Sequence, residues 1–173
     1  AWTRALIARM RERVPGVVLR TTMIVGHPGE GKKEFNELLD FVKEAKFERL
    51  GAFTYSEEEG TYGAEHYRNS VPEKEKQRRL DELMSLQSGI SLTFNQSRIG
   101  TEEKVIVDSY SDGILVCRSE FESPEVDGEI LVKYDSDAVH GVEPYSLAGE
   151  FLKVRITGAD EYDLTGEIID IFS

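Results

Sequence analysis

The sequence contains a single cysteine, Cys117, among its 173 residues. One cysteine excludes an internal disulfide and any metal site built only from cysteines of this chain. No apolar run approaches the roughly 18 residues that a membrane-spanning helix needs. Residues 1–14 hold four arginines and no small-residue cleavage site, so they are not typical of a secretory signal. These absences favour a protein of the reducing cytoplasm that does not associate with membranes.

The net charge of −12 comes entirely from the second part of the chain. Residues 1–100 carry 16 lysines and arginines against 15 acidic residues, whereas residues 101–173 carry 5 against 18. Such a field repels phosphate backbones and attracts basic partners. A merely soluble acidic domain has the same composition, so charge alone leaves both interpretations open.

The first part of the chain alternates between helical and strand-like patterns, with turn residues such as Pro15-Gly16 between them. We predict helices over residues 2–14 and 32–46, and strands over residues 17–25 and 49–56. This order is typical of a right-handed βαβ unit with parallel strands. Parallel strands are normally buried on both faces, and two strands with two helices cannot cover themselves. We therefore expect either that the chain is a fragment of a longer protein or that another copy supplies the missing strands.

The second part of the chain begins with a long helix and then changes to a two-residue period. Pro72 suits a first helical position, and the helix is predicted to run to about residue 97. Strands are predicted over residues 104–109, 113–118, 128–133, 151–157 and 166–171. Asp112-Gly113 and Asp127-Gly128 are turn sequences. Five short strands in so few residues predict a small closed barrel of the OB type, which makes the chain α/β followed by all-β.

The loop between the first strand and the second helix imitates a phosphate-binding motif. Gly26, Gly31 and Lys32 have the spacing GxxxxGK. However, Lys33 occupies the place of the serine or threonine that would bind magnesium, and Pro28 removes one backbone N–H that would contact phosphate. The pattern therefore argues against a nucleoside triphosphatase.

The same loop fits a different family. Residues 22–30, TMIVGHPGE, together with FTYS at 53–56 and Gly60-Thr61, resemble strands five and six of the radical S-adenosylmethionine methylthiotransferases. His27 departs from the phenylalanine usual in that family. The resemblance implies that residues 1–68 form the C-terminal part of a TIM-like radical barrel, in which the carboxyl ends of the strands build the site.

Three further segments resemble the RimO-type branch of that family, whose members modify an aspartate of ribosomal protein uS12. They are VPEKEKQRRLDELMSLQ at 71–87, SPEVDG at 123–128 and ADEYDLTG at 159–166. The resemblance implies a connecting helix over residues 69–99 and a TRAM domain, an OB-like barrel, over residues 100–173. Residues 57–59 are three glutamates. In the family resembled, members that act on the ribosomal protein tend to be acidic there, whereas transfer-RNA-modifying members tend to carry basic and proline residues.

The resemblance assigns two groups of candidate residues. Strand alternation places every second residue of the first strand on one face, toward the cofactor cavity. The expected cofactor-binding residues are Arg20, Thr22, Ile24, Gly26, Phe53 and Tyr55. An inward Arg20 could hold a carboxylate, although pairing with a glutamate is an equal alternative. The expected residues for docking a basic substrate protein are Glu125, Asp127, Asp160, Glu161 and Asp163.

The cofactors implied by the resemblance are S-adenosylmethionine and two 4Fe-4S clusters. None of the family's cluster cysteines is present, so we expect no catalytic or metal-binding residue in this chain and no turnover by it alone. Its expected partners are uS12 and the N-terminal portion of its own protein. Direct RNA binding by the barrel is not expected, since its tyrosines lie among carboxylates. Two alternatives stay open: a transfer-RNA methylthiotransferase of the MiaB-like branch, and a non-catalytic acidic adaptor.

Overall fold

The computed structural model describes residues 2–171 and divides into two units, the first ending at Ile90 and the second beginning at Ser91. The first unit contains α1 (Trp2–Arg13), β1 (Arg20–Val25), α2 (Lys32–Ala45), β2 (Arg49–Thr54), α3 (Tyr62–His66) and most of α4 (Glu73–Ser97). The second contains the end of α4, β3 (Glu102–Ser111), β4 (Ile114–Arg118), β5 (Ile130–Lys133), β6 (Phe151–Ala159) and β7 (Leu164–Ile171), with a 3₁₀ helix at Pro144–Leu147. The three-part division at residues 68 and 99 stays a prediction.

The first unit is the predicted βαβ arrangement. Strands β1 and β2 pair in parallel, with Thr22 opposite Gly51 and Ile24 opposite Phe53. The face of the strand pair that carries Val25 and Leu50 joins a core that also includes Phe35, Val42 and Leu83. Apolar residues at helical spacing in α2 and α4 therefore cover one face of the sheet.

The edges of the first unit differ from the predictions for local reasons. Strand β1 begins at Arg20 instead of residue 17, because its partner β2 begins at Arg49 and offers no earlier residue to pair with. Helix α2 ends at Ala45, where Lys46 adopts a left-handed conformation with φ of 49°. The short helix α3 was not predicted; the Thr61 hydroxyl caps it by accepting from the backbone N–H of Ala64.

The second unit is a closed five-stranded barrel, as predicted. Its strand order is β3-β4-β5-β7-β6, in which only the β5–β7 pair is parallel. Inward-facing residues form one core, for example Val105, Leu115, Ile130, Leu152 and Leu164. The turn between β3 and β4 has Asp112 and Gly113 at φ of 51° and 84°, the left-handed pair that a two-residue hairpin prefers.

Asp127-Gly128 does not form a hairpin turn. It lies in the connection between β4 and β5, and β5 begins at Ile130 instead of residue 128. A Cβ on Gly128 would lie 1.9 Å from the carbonyl oxygen of Tyr162. The glycine is therefore needed because another backbone segment lies against it, not because the chain reverses there.

Candidate functional site

One face of the β1–β2 pair is left uncovered by the residues that the structure describes. We call it the sheet face; it carries Arg20, Thr22 and Ile24 from β1 and Gly51 and Phe53 from β2. Ile24 is 56% exposed and Phe53 is 63% exposed, although both lie within paired strands. The four predicted cofactor residues within the strands, Arg20, Thr22, Ile24 and Phe53, therefore share one face, as the alternation indicated.

The loop after β1 is tied to a carboxylate of its own. Gly26, at φ of 78°, donates its backbone N–H to Oε1 of Glu30 at 2.9 Å. The same oxygen accepts from Nη1 of Arg79 on α4 at 2.6 Å, and the carbonyl of Glu30 accepts from that nitrogen at 2.8 Å. The Glu30 carboxylate thus occupies the place in which a phosphate would accept a hydrogen bond from the N–H of Gly26. This geometry disfavours a phosphate-binding loop, in agreement with the sequence.

The loop after β2 is tied to the same helix. The N–H of Tyr55 donates to the carbonyl of Val25 at 2.8 Å, which extends the strand pairing by one bond. The carbonyl of Tyr55 accepts from Nζ of Lys76 at 2.8 Å. Gly26 and Tyr55, the two predicted cofactor residues outside the strands, are therefore both held at the carboxyl ends of the strands.

An aromatic cluster borders these loops. The ring of His27 meets Tyr55 edge-on at 5.0 Å and Tyr67 at 6.0 Å between centroids. Tyr62 stacks on His66 at 3.9 Å within α3. The departure from phenylalanine at position 27 thus keeps an aromatic ring in contact with Tyr55.

The first turns of α4 carry a dense charge network. Glu75 accepts hydrogen bonds from Arg78 and Arg79, which lower the pKa of its carboxyl to about 2. Because Arg79 also pairs with Glu30, the network fixes the side chain that holds the loop after β1. It keeps the Glu75 carboxylate charged throughout the neutral and mildly acidic range.

The barrel bears an acidic pocket of about 240 Å³. The carboxylates that line it are Asp108, Glu125, Asp127, Glu129 and Asp163. Arg118 also lines it, and its Nε pairs with Asp108 at 3.0 Å. Three of the five predicted docking residues, Glu125, Asp127 and Asp163, are thereby brought together.

Two of those carboxylates also hold backbone groups in place. Asp127 accepts from the backbone N–H of Ser123 at 2.8 Å, and Asp163 accepts from the N–H of Glu129 at 2.9 Å. Asp160 and Glu161 do not line the pocket. Their exposed side chains lie in the turn before β7, and their carbonyls accept from Asn95 and Ser91.

A buried ion network anchors the connection that carries the acidic pocket. Arg98 pairs with Glu103 at 2.6 Å and with Glu122, and Glu122 accepts from the N–H of Ser119 at 3.0 Å. Burial alone would raise the pKa of Glu122, but its hydrogen bonds from Arg98 and Ser119 hold it below the usual value. The carboxylate is therefore stabilised in its charged form.

The barrel cations are mostly committed to carboxylates. Arg118 pairs with Asp108, whereas Lys153 and Arg155 both pair with Glu102, at 2.5 and 2.9 Å. Three of the five lysines and arginines of residues 101–173 are thus neutralised locally. This arrangement leaves little positive surface for a phosphate backbone.

Within residues 2–171, no group of three His, Cys, Asp or Glu side chains could hold a metal ion. Cys117 lies in the barrel core, where burial raises the pKa of its thiol to about 12. Across the same residues, no helix is long and apolar enough to cross a membrane.

Sequence reasoning missed Lys76 and Arg79 in the first unit, and Asp108 and Glu129 in the pocket. The first two had a signal: Lys76 and Arg79 lie at helical spacing from the buried Leu83, so they belong to the buried side of α4 although they are charged. Asp108 had no such signal, because it is distant in sequence from the connection between β4 and β5 with which it lines the pocket.

Comparison with known proteins agrees with this architecture. Residues 99–169 match the family model described as the TRAM domain. A protein of Bacteroides fragilis is 48% identical over 167 residues, which are 96% of this chain and 37% of that protein. Proteins of Phocaeicola vulgatus and Porphyromonas gingivalis are 49% and 47% identical, over 98% of this chain and 38% of their own length.

All three relatives carry the name ribosomal protein uS12 methylthiotransferase RimO. The chain spans little more than a third of their length. Its matches nevertheless extend over nearly all of its own residues, across both units of the structure. The chain is therefore similar over nearly its whole length to RimO-type methylthiotransferases, and these matches together with the TRAM domain fit their C-terminal part.

Proposed function

We propose that this chain is part of a cytoplasmic enzyme that methylthiolates the β-carbon of an aspartate in ribosomal protein uS12 by radical S-adenosylmethionine chemistry. The observation that carries the proposal is the identity of 47–49% to uS12 methylthiotransferases over almost the whole chain. In this proposal, residues 1–68 complete a radical barrel, residues 69–99 connect the domains, and residues 100–173 dock the substrate.

The uncovered sheet face supports the first part of the proposal. A two-stranded parallel sheet with one uncovered face is uncommon in a finished domain, because parallel sheets are covered on both sides. Ile24 and Phe53 are the apolar residues that further strands and a bound ligand would cover. In a barrel of this type, the loops at the carboxyl ends of β1 and β2 would line the site.

The residues of the sheet face fit S-adenosylmethionine. Ile24 and Phe53 offer apolar surface for an adenine ring, and the Arg20 guanidinium suits a carboxylate. Gly26, at φ of 78°, turns the backbone directly after β1, beside these residues. When bound with its 4Fe-4S cluster, S-adenosylmethionine supplies the radical chemistry that activates a C–H bond. The described residues do not fit either cluster, since Cys117 is buried in the barrel core and no group of metal ligands exists among them.

The acidic barrel supports docking of a basic protein. Five carboxylates converge on one pocket, and Arg118, the cation that lines it with them, is already paired with Asp108. Complementary charge of this kind accelerates encounter with a basic partner and repels nucleic acid. Glu125, Asp127 and Asp163 would contact the substrate at the pocket, and Asp160 and Glu161 would add to the field from the neighbouring turn.

The activity is tested with the full-length, cluster-loaded protein and purified uS12. We expect a methylthio mass increment on one aspartate that requires S-adenosylmethionine and a reductant. Modification or tight binding of transfer RNA would favour the MiaB-like alternative. Absence of cluster-binding sequence and of any modification would favour the adaptor.

Docking is tested by one charge reversal in the pocket. We expect Glu125→Lys to weaken uS12 binding about fivefold, the effect of ~1 kcal/mol at an exposed charge pair. Glu150→Lys is the matched control, because Glu150 is an exposed barrel carboxylate outside the pocket. Raising salt should weaken wild-type binding and narrow the difference between the variants. Equal losses in both variants, or binding that does not respond to salt, would contradict docking at this pocket.

A further inference from the structure

Two buried cations stand on the first turns of α4, where an apolar stripe would normally face the sheet. Lys76 is 1% exposed and Arg79 is 6% exposed. They are three residues apart, so they lie on one side of the helix. Burying a charge is unfavourable unless it is paired, and apolar residues at such positions are often equally or more stabilising. Their partners therefore indicate what the charges do.

Lys76 joins the ends of both strands. Its Nζ donates to the carbonyl of Tyr55 at 2.8 Å, directly after β2, and pairs with Glu73 at 3.1 Å. Its aliphatic stem lies under Gly26, directly after β1: a Cβ on Gly26 would lie 2.4 Å from Cγ of Lys76. One side chain thus fixes the distance between the two loops, and the lack of a side chain at Gly26 makes room for it.

Arg79 holds the same loop from its other end. Its Nη1 donates to both the carbonyl and Oε1 of Glu30, and Oε1 in turn accepts from the N–H of Gly26. The hydrogen bond between Gly26 and Glu30 therefore closes the loop on itself, and Arg79 binds the Glu30 end of this loop to α4. The polar ends of both cations thus reach the loops instead of the apolar core.

We propose that Lys76 and Arg79 are positioning residues that set the geometry of the loops after β1 and β2, and with it the affinity of the sheet face for S-adenosylmethionine. The inference rests on the proposed function, because it needs that face to bind the cofactor. It assigns to α4 a role in shaping the cofactor site in addition to connecting two domains.

The test uses the full-length, cluster-loaded enzyme with Lys76→Met, which keeps the stem beneath Gly26 and removes the ammonium. We expect the Kd and the KM for S-adenosylmethionine to rise about tenfold while kcat changes less than about threefold, the pattern of lost uniform binding. Amide hydrogen exchange should accelerate in residues 26–31 and 55–61. Lys74→Met is the matched control, because Lys74 is an exposed lysine on the same turn.

Unchanged Kd and unchanged exchange in Lys76→Met would overturn the inference. If that variant loses its iron or its cooperative unfolding, Arg79→Lys decides. It retains a buried cation but cannot reproduce the paired contacts of the guanidinium fork, so it should show the same rise in Kd. Failure of the wild-type enzyme to bind S-adenosylmethionine would instead refute the proposed function. In that case, faster hydrogen exchange of the two loops in Lys76→Met but not in Lys74→Met would still show that the Lys76 contacts hold the loops.

Discussion

Gly26 and Gly128 are two of the glycines at which another group occupies the space of a side chain. At Gly26 the obstacle is the flexible stem of Lys76, whose Cγ would lie 2.4 Å from a Cβ at that position. At Gly128 it is the carbonyl oxygen of Tyr162, at 1.9 Å, which belongs to the backbone and cannot rotate away. The second site is therefore the more sensitive to substitution, because relief requires the movement of a chain segment.

Gly128→Ala is expected to destabilise the barrel by about 2–3 kcal/mol, since the new methyl group would force the connection and the turn before β7 apart. Cys117 provides a local measurement: it is the sole cysteine, it is buried in the barrel, and burial raises the pKa of its thiol to about 12. Thiol labelling under native conditions then reports barrel opening, with about a tenfold faster rate for each 1.4 kcal/mol.

Val126→Ala is the control for that substitution. Val126 lies in the same connection and is 67% exposed, so its truncation should change labelling by less than about threefold. Similar labelling rates for Gly128→Ala and wild type would mean that the connection moves aside freely, contrary to the close approach at Tyr162.

Among the secondary-structure elements, sequence periodicity predicted the helices and strands whose apolar residues recur at regular spacing. It failed for elements whose presence or bounds depend on a single contact. The helices over residues 32–46 and 72–97 and all five barrel strands were predictable, because their apolar residues recur at helical or alternating spacing. Helix α3 was not, because its five residues, Tyr62–His66, offer no period and depend on the Thr61 cap. The late start of β1 depends on where β2 begins, and pairing of that kind is invisible in local sequence.

Arg98, directly after α4, links the end of that helix to the connection after β4 through Glu122. Arg98→Met should cost about 3–5 kcal/mol of barrel stability, because it leaves Glu122 buried without its main countercharge. Adding Glu122→Gln should recover part of the loss, since the unpaired charge is then removed. Urea unfolding and Cys117 labelling measure both variants.

Arg155→Met is the comparison for Arg98→Met. It also removes an arginine with two carboxylate partners, Glu102 and Glu167, but these pairs are on the surface. We expect a loss below ~1 kcal/mol. If the two arginine variants were equally stable, the buried network would not be what anchors the acidic connection.

For the whole molecule, the charge asymmetry was predictable from the sequence, but the set of carboxylates that meet was not. Glu125, Asp127 and Asp163 were expected to act together and do line one pocket. Asp108 joins them only because β3 and β4 pair, and Asp160 lies outside the pocket although it is three residues from Asp163. A site assembled from separate strands needs the register of the barrel, which composition does not contain.

Carboxylates with a lowered pKa occur in both units: Glu34, Glu75, Glu102 and Glu122. For Glu34, Glu75 and Glu102 the leading causes are hydrogen bonds. Glu34 accepts from backbone N–H groups, Glu75 from Arg78 and Arg79, and Glu102 from Lys153 and Arg155. A carboxyl whose folded pKa lies below its unfolded value binds protons more readily when the chain is unfolded. Such groups contribute their stabilisation in full above the unfolded pKa, and it is lost as the pH falls through the folded pKa.

The chain should therefore keep a constant stability from neutral pH down to the ordinary carboxyl pKa of 4.5, and lose it progressively toward the value of about 2 at Glu75. Urea midpoints followed by far-UV circular dichroism at about pH 7, 4 and 3 measure this loss. Glu75→Gln mimics protonation, so it should lower the midpoint at neutral pH and make the acid dependence shallower. Glu57→Gln, an exposed carboxyl of the polar loop, should do neither. A midpoint that stays constant from neutral pH down to about pH 3 would contradict a fold that depends on charged carboxylates in both of its units.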